Sequence, residues 1–154
     1  MVRSYLLFLS AILAIVFSAC NKTSNYSEFR DLPSKGWNRY DTIYFTAPIS
    51  TQEPVNIILE SRNNGQYPYQ NLWLFVSCKC DSVVLFSDTV EVVVADKLGK
   101  WKGSGWGSLY ELSIPYKSNF RFPKSNKSYV FKVVQGMRDF DLQGIDSFGL
   151  RIEY

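Results

Sequence analysis

A chain of 154 residues with 17 Lys+Arg against 14 Asp+Glu has room for one domain of ordinary size and carries a formal charge of only +3. It has no histidine, which removes Ser-His and Cys-His nucleophile pairs, imidazole metal ligands and the one side chain that titrates near neutrality when unperturbed. The charge is too small to argue for a nucleic-acid groove, and no nucleic-acid partner is expected.

Residues 1–19 read as a segment separate from the fold. Arg3 gives a short positive start, and Tyr5 to Phe17 is apolar apart from Ser10. That is the length of a signal-peptide core and falls short of the ~20 residues a spanning helix needs. The run ends in Phe17-Ser18-Ala19-Cys20. Two small residues directly before a Cys resemble the lipobox of bacterial lipoproteins, although Phe17 stands where Leu is usual. The resemblance makes Cys20 the lipid attachment site, with the chain cut before it. Acyl chains stabilise membrane attachment by about 0.8 kcal/mol per buried CH₂, so several on one residue hold a protein durably. The expected organisation is a lipoprotein signal peptide over 1–19, a lipidated tether over 20–30, mostly small and polar, and one domain over 31–154.

Beyond Cys20 only Ala47 and Ala95 remain of the alanines, whereas aromatic and β-branched residues abound. Such residues are poor helix formers and fit a pleated surface. In Ile43–Ile49, the apolar Ile43, Phe45, Ala47 and Ile49 alternate with Tyr44, Thr46 and Pro48, which predicts a half-buried strand. Val55, Ile57 and Leu59 continue the pattern up to Arg62, and Asn63-Asn64-Gly65 signals a turn. Leu72 to Cys80 predicts a strand with Leu72, Leu74, Val76, Cys78 and Cys80 on one face and Trp73, Phe75, Ser77 and Lys79 on the other. Asp81-Ser82 turns the chain into Val83–Val94, with a bulge expected near Ser87-Asp88. Further strands are expected at Leu112–Ile114, Tyr129–Gln135 and Phe148–Tyr154, with turns at Lys124–Ser128 and Gln143-Gly144. Short strands separated by Gly, Pro, Asn and Ser clusters point to an all-β fold, an antiparallel β-sandwich. Spacing leaves jelly-roll-like and Ig-like strand orders both open.

Cys78 and Cys80 share the apolar face of their strand, where a bridge between them is strained and two thiolates alone make an incomplete zinc site. They read as small buried side chains, and neither a metal nor a cofactor is expected. Gly103-Ser104-Gly105-Trp106-Gly107 lacks the following helix and the Lys-Ser/Thr pair of a phosphate loop. Its alternating glycines mark a bent segment where aromatic rings cross backbone, and Trp101, Trp106 and Tyr110 beside it are the candidate interaction surface. Asp88, Glu91, Asp139 and Asp141 read as solvated charges, and no catalytic set can be named.

Read in order, several segments resemble the gliding motility lipoprotein GldH family of Bacteroidetes. They are Asp31-Leu32-Pro33 with Gly36-Trp37, Asn63-Asn64-Gly65, Tyr67-Pro68-Tyr69, Asn71 to Phe75, Asp96, Gly99 and Trp101. The Gly103–Tyr110 stretch, Phe120-Arg121-Phe122-Pro123, Gln135, Met137-Arg138 and Gly149 to Ile152 complete the set. The Cys78-Lys79-Cys80 segment looks particular to this chain. The resemblance implies a non-enzymatic envelope lipoprotein, carried on the membrane by lipid on Cys20, that supports gliding or secretion machinery through contacts with other envelope proteins. No acidic run follows Cys20, a feature associated in such bacteria with export to the cell surface, so the expected location is the outer membrane facing the periplasm.

Two expectations stand from different classes. The first is an interaction protein with buried tryptophans, Trp37, Trp73 and the Trp101 region forming one cluster between sheets. The second is a lipid-anchored carbohydrate-binding module whose glycan partner stacks on exposed Trp101, Trp106 or Tyr110.

Overall fold

The computed structural model describes residues 24–154. The chain forms strands β1 (Ser24–Asp31), β2 (Trp37–Asn38), β3 (Ile43–Ile49), β4 (Val55–Asn64), β5 (Asn71–Cys80) and β6 (Val83–Val93). They are followed by β7 (Ser104–Trp106), β8 (Leu109–Phe120), β9 (Lys127–Gln135), β10 (Asp141–Leu142) and β11 (Ile145–Glu153). Two antiparallel sheets, in the order β1-β11-β4-β8-β7 and β3-β9-β5-β6, face one another, and β10 and β2 form a small ribbon at one end. The fold is therefore the expected all-β sandwich.

With the short β2, β7 and β10 set aside, the pairing reduces to one rule. The first strand pairs with the last (β1 with β11), the second with the last but one (β3 with β9), then β4 with β8 and β5 with β6. The chain is a long two-armed ribbon rolled into two sheets, which is the jelly-roll order.

Alternation builds the core. Phe45, Ala47 and Ile49 of β3, Leu72, Leu74 and Val76 of β5, Tyr129, Phe131 and Val133 of β9 and Phe148, Leu150 and Ile152 of β11 are all buried. Large and small side chains face each other across strands: Tyr129 lies between Ala47 and Cys80, and Phe131 between Phe45 and Cys78. Cys78 and Cys80 are unpaired, buried thiols that leave room for these rings. Burial pushes the Cys78 thiol up to about 12.

Where the sheets approach at their edges, polar side chains tie them. Tyr116 of β8 donates its hydroxyl to Asp88 of β6 and Lys117 Nζ lies 2.8 Å from the same carboxylate, while Phe86 packs edge-on against Tyr116 and Phe120. These two donors hold the Asp88 carboxyl below the usual carboxylate range.

Four expectations change. Ser24–Arg30, read as part of the tether, is β1, paired along β11 from Ser24 to Glu153 through Asp31 to Ser147. It escapes a hydropathy reading because the residues sharing the core-side register of β11 are Tyr26, Glu28 and Arg30, while the apolar Phe29 lies on the other face under Arg62. The strand at Leu112–Ile114 extends over Leu109–Phe120 through Pro115. Proline is tolerated there because β7 covers β8 only as far as Glu111, so beyond it β8 is an edge strand. The bulge in β6 lies between Val84 and Phe86, opposite Lys79 and Cys78, rather than at Ser87-Asp88. The tryptophans do not form one cluster: Trp37 is buried against Phe148, Trp73 faces outward on β5, and Trp101 closes one end of the core.

Candidate functional site

Trp101, Trp106 and Tyr110 all come from the same end of the sandwich, the end that carries the β4–β5, β7–β8 and β10–β11 connections. A β-bridge between Ala95 and Trp101 closes a tight loop over 96–100. Asp96 staples it: its carboxylate accepts the backbone N–H of Leu98 at 2.8 Å and of Lys100 at 2.9 Å, which holds the acid below the usual carboxylate range. The loop presents Leu98 at its tip, 94% exposed.

Beyond the loop, Trp101 sits between Tyr67 and Tyr110, with ring centroids 6.3 Å and 5.8 Å away and planes tilted by 50° and 38°. Tyr67 in turn meets Tyr69 edge-on at 5.9 Å. Tyr67 is buried and donates its hydroxyl to the Asn71 carbonyl at 2.7 Å; its burial raises the phenol. The rings therefore pack on one another in tilted and edge-on contacts. The open groove beside them, about 470 Å³, is lined by Ser104, Gly105, Leu109 and Glu111 rather than by Trp101 or Tyr110.

The glycines of this segment work by close approach. A Cβ on Gly103 would lie 2.8 Å from the Glu111 carbonyl oxygen, and one on Gly105 would collide with that of Leu109. What crosses these glycines is the backbone of β8, not aromatic rings as expected from sequence, so their lack of a side chain is what lets β7 pair. Trp106 ends β7 opposite Leu109; its side chain, like Cys20 and the signal segment 1–19, lies outside the described residues.

A second part of the rim escapes sequence reasoning. Asn38 donates its side-chain amide to Asp141 Oδ1 at 2.8 Å and accepts the Tyr40 N–H at 3.0 Å, while Arg39 N–H bonds the Phe140 carbonyl at 2.8 Å. These bonds present Tyr40 and Phe140 as an exposed edge-on pair, 5.5 Å between centroids and 76% and 54% exposed. The signal in the sequence is an aromatic residue set between Asp139 and Asp141, where a core ring is out of place. Tyr69 joins the two parts, bonding both oxygens of Asp139 at 2.9 Å.

Over this geometry, a family model described as GldH lipoprotein matches residues 24–152, the full span of the paired strands but for Glu153. The chain belongs to the GldH lipoprotein family. A gliding motility lipoprotein GldH homolog of Christiangramia forsetii is 31% identical, the match covering 97% of this chain and 96% of that protein. Gliding motility lipoprotein GldH of Flavobacterium johnsoniae is 29% identical, with 92% of each covered. Among solved structures, that of the infectious bursal disease virus Gx strain aligns over 83% of this chain and 29% of that one, at 17% identity and a TM-score of 0.34.

In this GldH-family chain, most segments that carry the resemblance are fold devices. Buried Gln135 donates to the Asp139 carbonyl at 3.0 Å and accepts the Met137 N–H at 2.8 Å, which fixes the loop under Phe140. Gly149 leaves room for the Phe29 ring, with Arg62 stacked over that ring at 3.7 Å. Trp37 donates its indole N–H to the Asp41 carbonyl at 3.1 Å.

Proposed function

We propose that this chain is a non-enzymatic, lipid-anchored envelope protein, attached through acylated Cys20, that supports gliding or secretion machinery by protein contacts. The observation that carries the reading is the family match along the whole sandwich. The chemistry of the acids supports it. Asp88, Asp96 and Asp139 are engaged by neighbouring donors, and Glu60 is bonded by Arg151 at 3.0 Å and by Ser113 at 3.2 Å. Carboxylates committed to holding strands and loops are poorly placed for acid–base work.

The contact surface is the rim of Leu98, Tyr40 and Phe140, exposed apolar side chains on hydrogen-bonded loops, with Trp101 and Tyr110 as its packed base. We place it in the outer membrane, facing the periplasm, a reading supported by the lipid and by the absence of an acidic run after Cys20. The test is a photo-crosslinking pull-down from intact envelopes with the crosslinker at Leu98, together with fatty-acid labelling of the native chain and Cys20→Ser. Labelling lost in Cys20→Ser and a defined envelope protein captured from the rim are the expected results. Unchanged labelling overturns the anchor. Acrylamide quenching of Trp fluorescence that glycans relieve overturns the protein-contact reading in favour of a carbohydrate-binding module.

A further inference from the structure

Ser24 pairs with Glu153 at one end of the sandwich, and Cys20 precedes it by four residues. A link of that length spans at most about 14 Å. On the proposed anchor, this end of the sandwich is therefore held within about 14 Å of the bilayer. The same end carries the start of β4 and end of β8 (Val55 opposite Phe120), the end of β3 and start of β9 (Ile49 opposite Lys127), and the β5–β6 hairpin tip (Cys80 opposite Val83). Hydrogen bonds from Arg121 to the Gln52 carbonyl and from Gln52 to the Pro123 carbonyl join its loops.

This end differs from the opposite rim in combining exposed aliphatics with an excess of cations. The hairpin tip exposes Val83 and Val84 by 64% and 63%, where a soluble hairpin ordinarily carries polar residues. At this end stand Lys79, Arg121, Lys124 and Lys127 against Glu53 and Asp81, with Glu153 paired to Arg151, whereas acids and bases balance at the opposite rim. Asp81 lies between Lys124 and Lys127, at 3.9 Å and 3.6 Å, and draws both to the tip. Exposed aliphatics ringed by cations are the composition of a membrane-interface contact: the apolar tip enters the headgroup layer and the cations meet anionic headgroups.

We infer that the Val83-Val84 hairpin tip with Lys79, Arg121, Lys124 and Lys127 is a membrane-contact surface for anionic lipid, which orients the domain so that the Leu98–Phe140 rim points away from the bilayer. The orientation rests on the Cys20 anchor; the lipid affinity of the tip does not. β11 alone spans about 30 Å from one end to the other, so the far rim stands well clear of the headgroups.

Two measurements separate these components. In the first, the mature chain with Cys20→Ser is mixed with phosphatidylcholine vesicles containing about one third phosphatidylglycerol, and its partitioning is expected to fall about fivefold for each of Lys124→Ala and Lys127→Ala. Val84→Ser, at an exposed position that does not test folding, also weakens it. Equal partitioning into pure phosphatidylcholine, with no effect of the substitutions, overturns the lipid surface. In the second, the full lipidated chain in the same vesicles carries a fluorophore at Ser82→Cys or at Gln66→Cys. Quenching by headgroup-labelled lipid several-fold stronger at position 82 is expected. Equal quenching at the two positions in protein that floats with vesicles overturns the orientation and leaves the anchor standing; an unlabelled Cys20 overturns the anchor and the orientation together.

Discussion

Tyr69 and Asp139, 70 residues apart, are joined by a phenol that lies 2.9 Å from both carboxylate oxygens. The bond ties the β4–β5 connection to the loop that leads into β10, and so couples the Trp101 part of the rim to Phe140. Asp139 raises the Tyr69 phenol, chiefly through that hydrogen bond. Tyr69→Phe removes the tie and keeps the ring packed on Tyr67. The expected result is an almost unchanged melting temperature, faster amide exchange over residues 136–140 and weaker crosslinking from the rim. Exchange as slow as in the native chain disproves the coupling.

Gly105→Ala places a Cβ against the Leu109 carbonyl oxygen, a backbone atom that cannot swing aside. β7 must detach from β8, at a cost of about 1–3 kcal/mol in urea unfolding. Gly65→Ala meets nothing within 4 Å and serves as the comparison; it is expected to change stability by less than about 0.5 kcal/mol. Similar effects of the two substitutions contradict the close-approach explanation.

Asp88 has its folded-state pKa shifted down by Lys117 and Tyr116. A depressed carboxyl stabilises the fold above its unfolded value of about 3.9, and that contribution disappears as pH falls through the lower folded value. Thermal unfolding of the native chain is therefore expected to lose more stability below about pH 4 than that of Asp88→Asn, with parallel curves at higher pH. Parallel curves throughout exclude Asp88 as an acid-sensitive tie between the sheets.

Cys78 and Cys80 are expected to be silent towards thiol reagents in the folded mature chain with Cys20→Ser, because the thiols are buried and Cys78 is held up to about 12. Both react once denaturant opens the sandwich. Fast reaction of either in native buffer argues for an opening at the β5–β9 ladder.

The alternation of Ile43–Ile49 and Leu72–Cys80 was legible because each of these strands turns one face to the core; it set Trp73 on the face opposite Leu72 and Leu74, which is where it lies, and so told against the expected tryptophan cluster between the sheets. The long-range pairing was not legible, since Tyr129 opposite Ala47 and Cys80 is a fact of geometry that no local pattern carries. Pro115 hid the second half of β8, because a proline ends most strands but not an edge strand. Of the candidate site, the sequence located Trp101 and Tyr110 at the glycine segment, and the structure brings them together at 5.8 Å. Leu98, Tyr40 and Phe140 were missed because their exposure depends on loops shaped by Asp96, Asn38 and Gln135, whose bonds span turns and, for Asn38, 103 residues.

The pairing of β1 with β11 also decides how the domain bears load. A pull on the segment before Ser24, resisted by a partner at the far rim, acts along the axis of β1. The bonds of an antiparallel ladder lie perpendicular to its strands, so this pull shears all the register pairs from Ser24 to Asp31 at once. A peeling force breaks such bonds one by one. On the proposed anchor, first strand against last strand is thus a mechanical clamp placed next to the point of attachment.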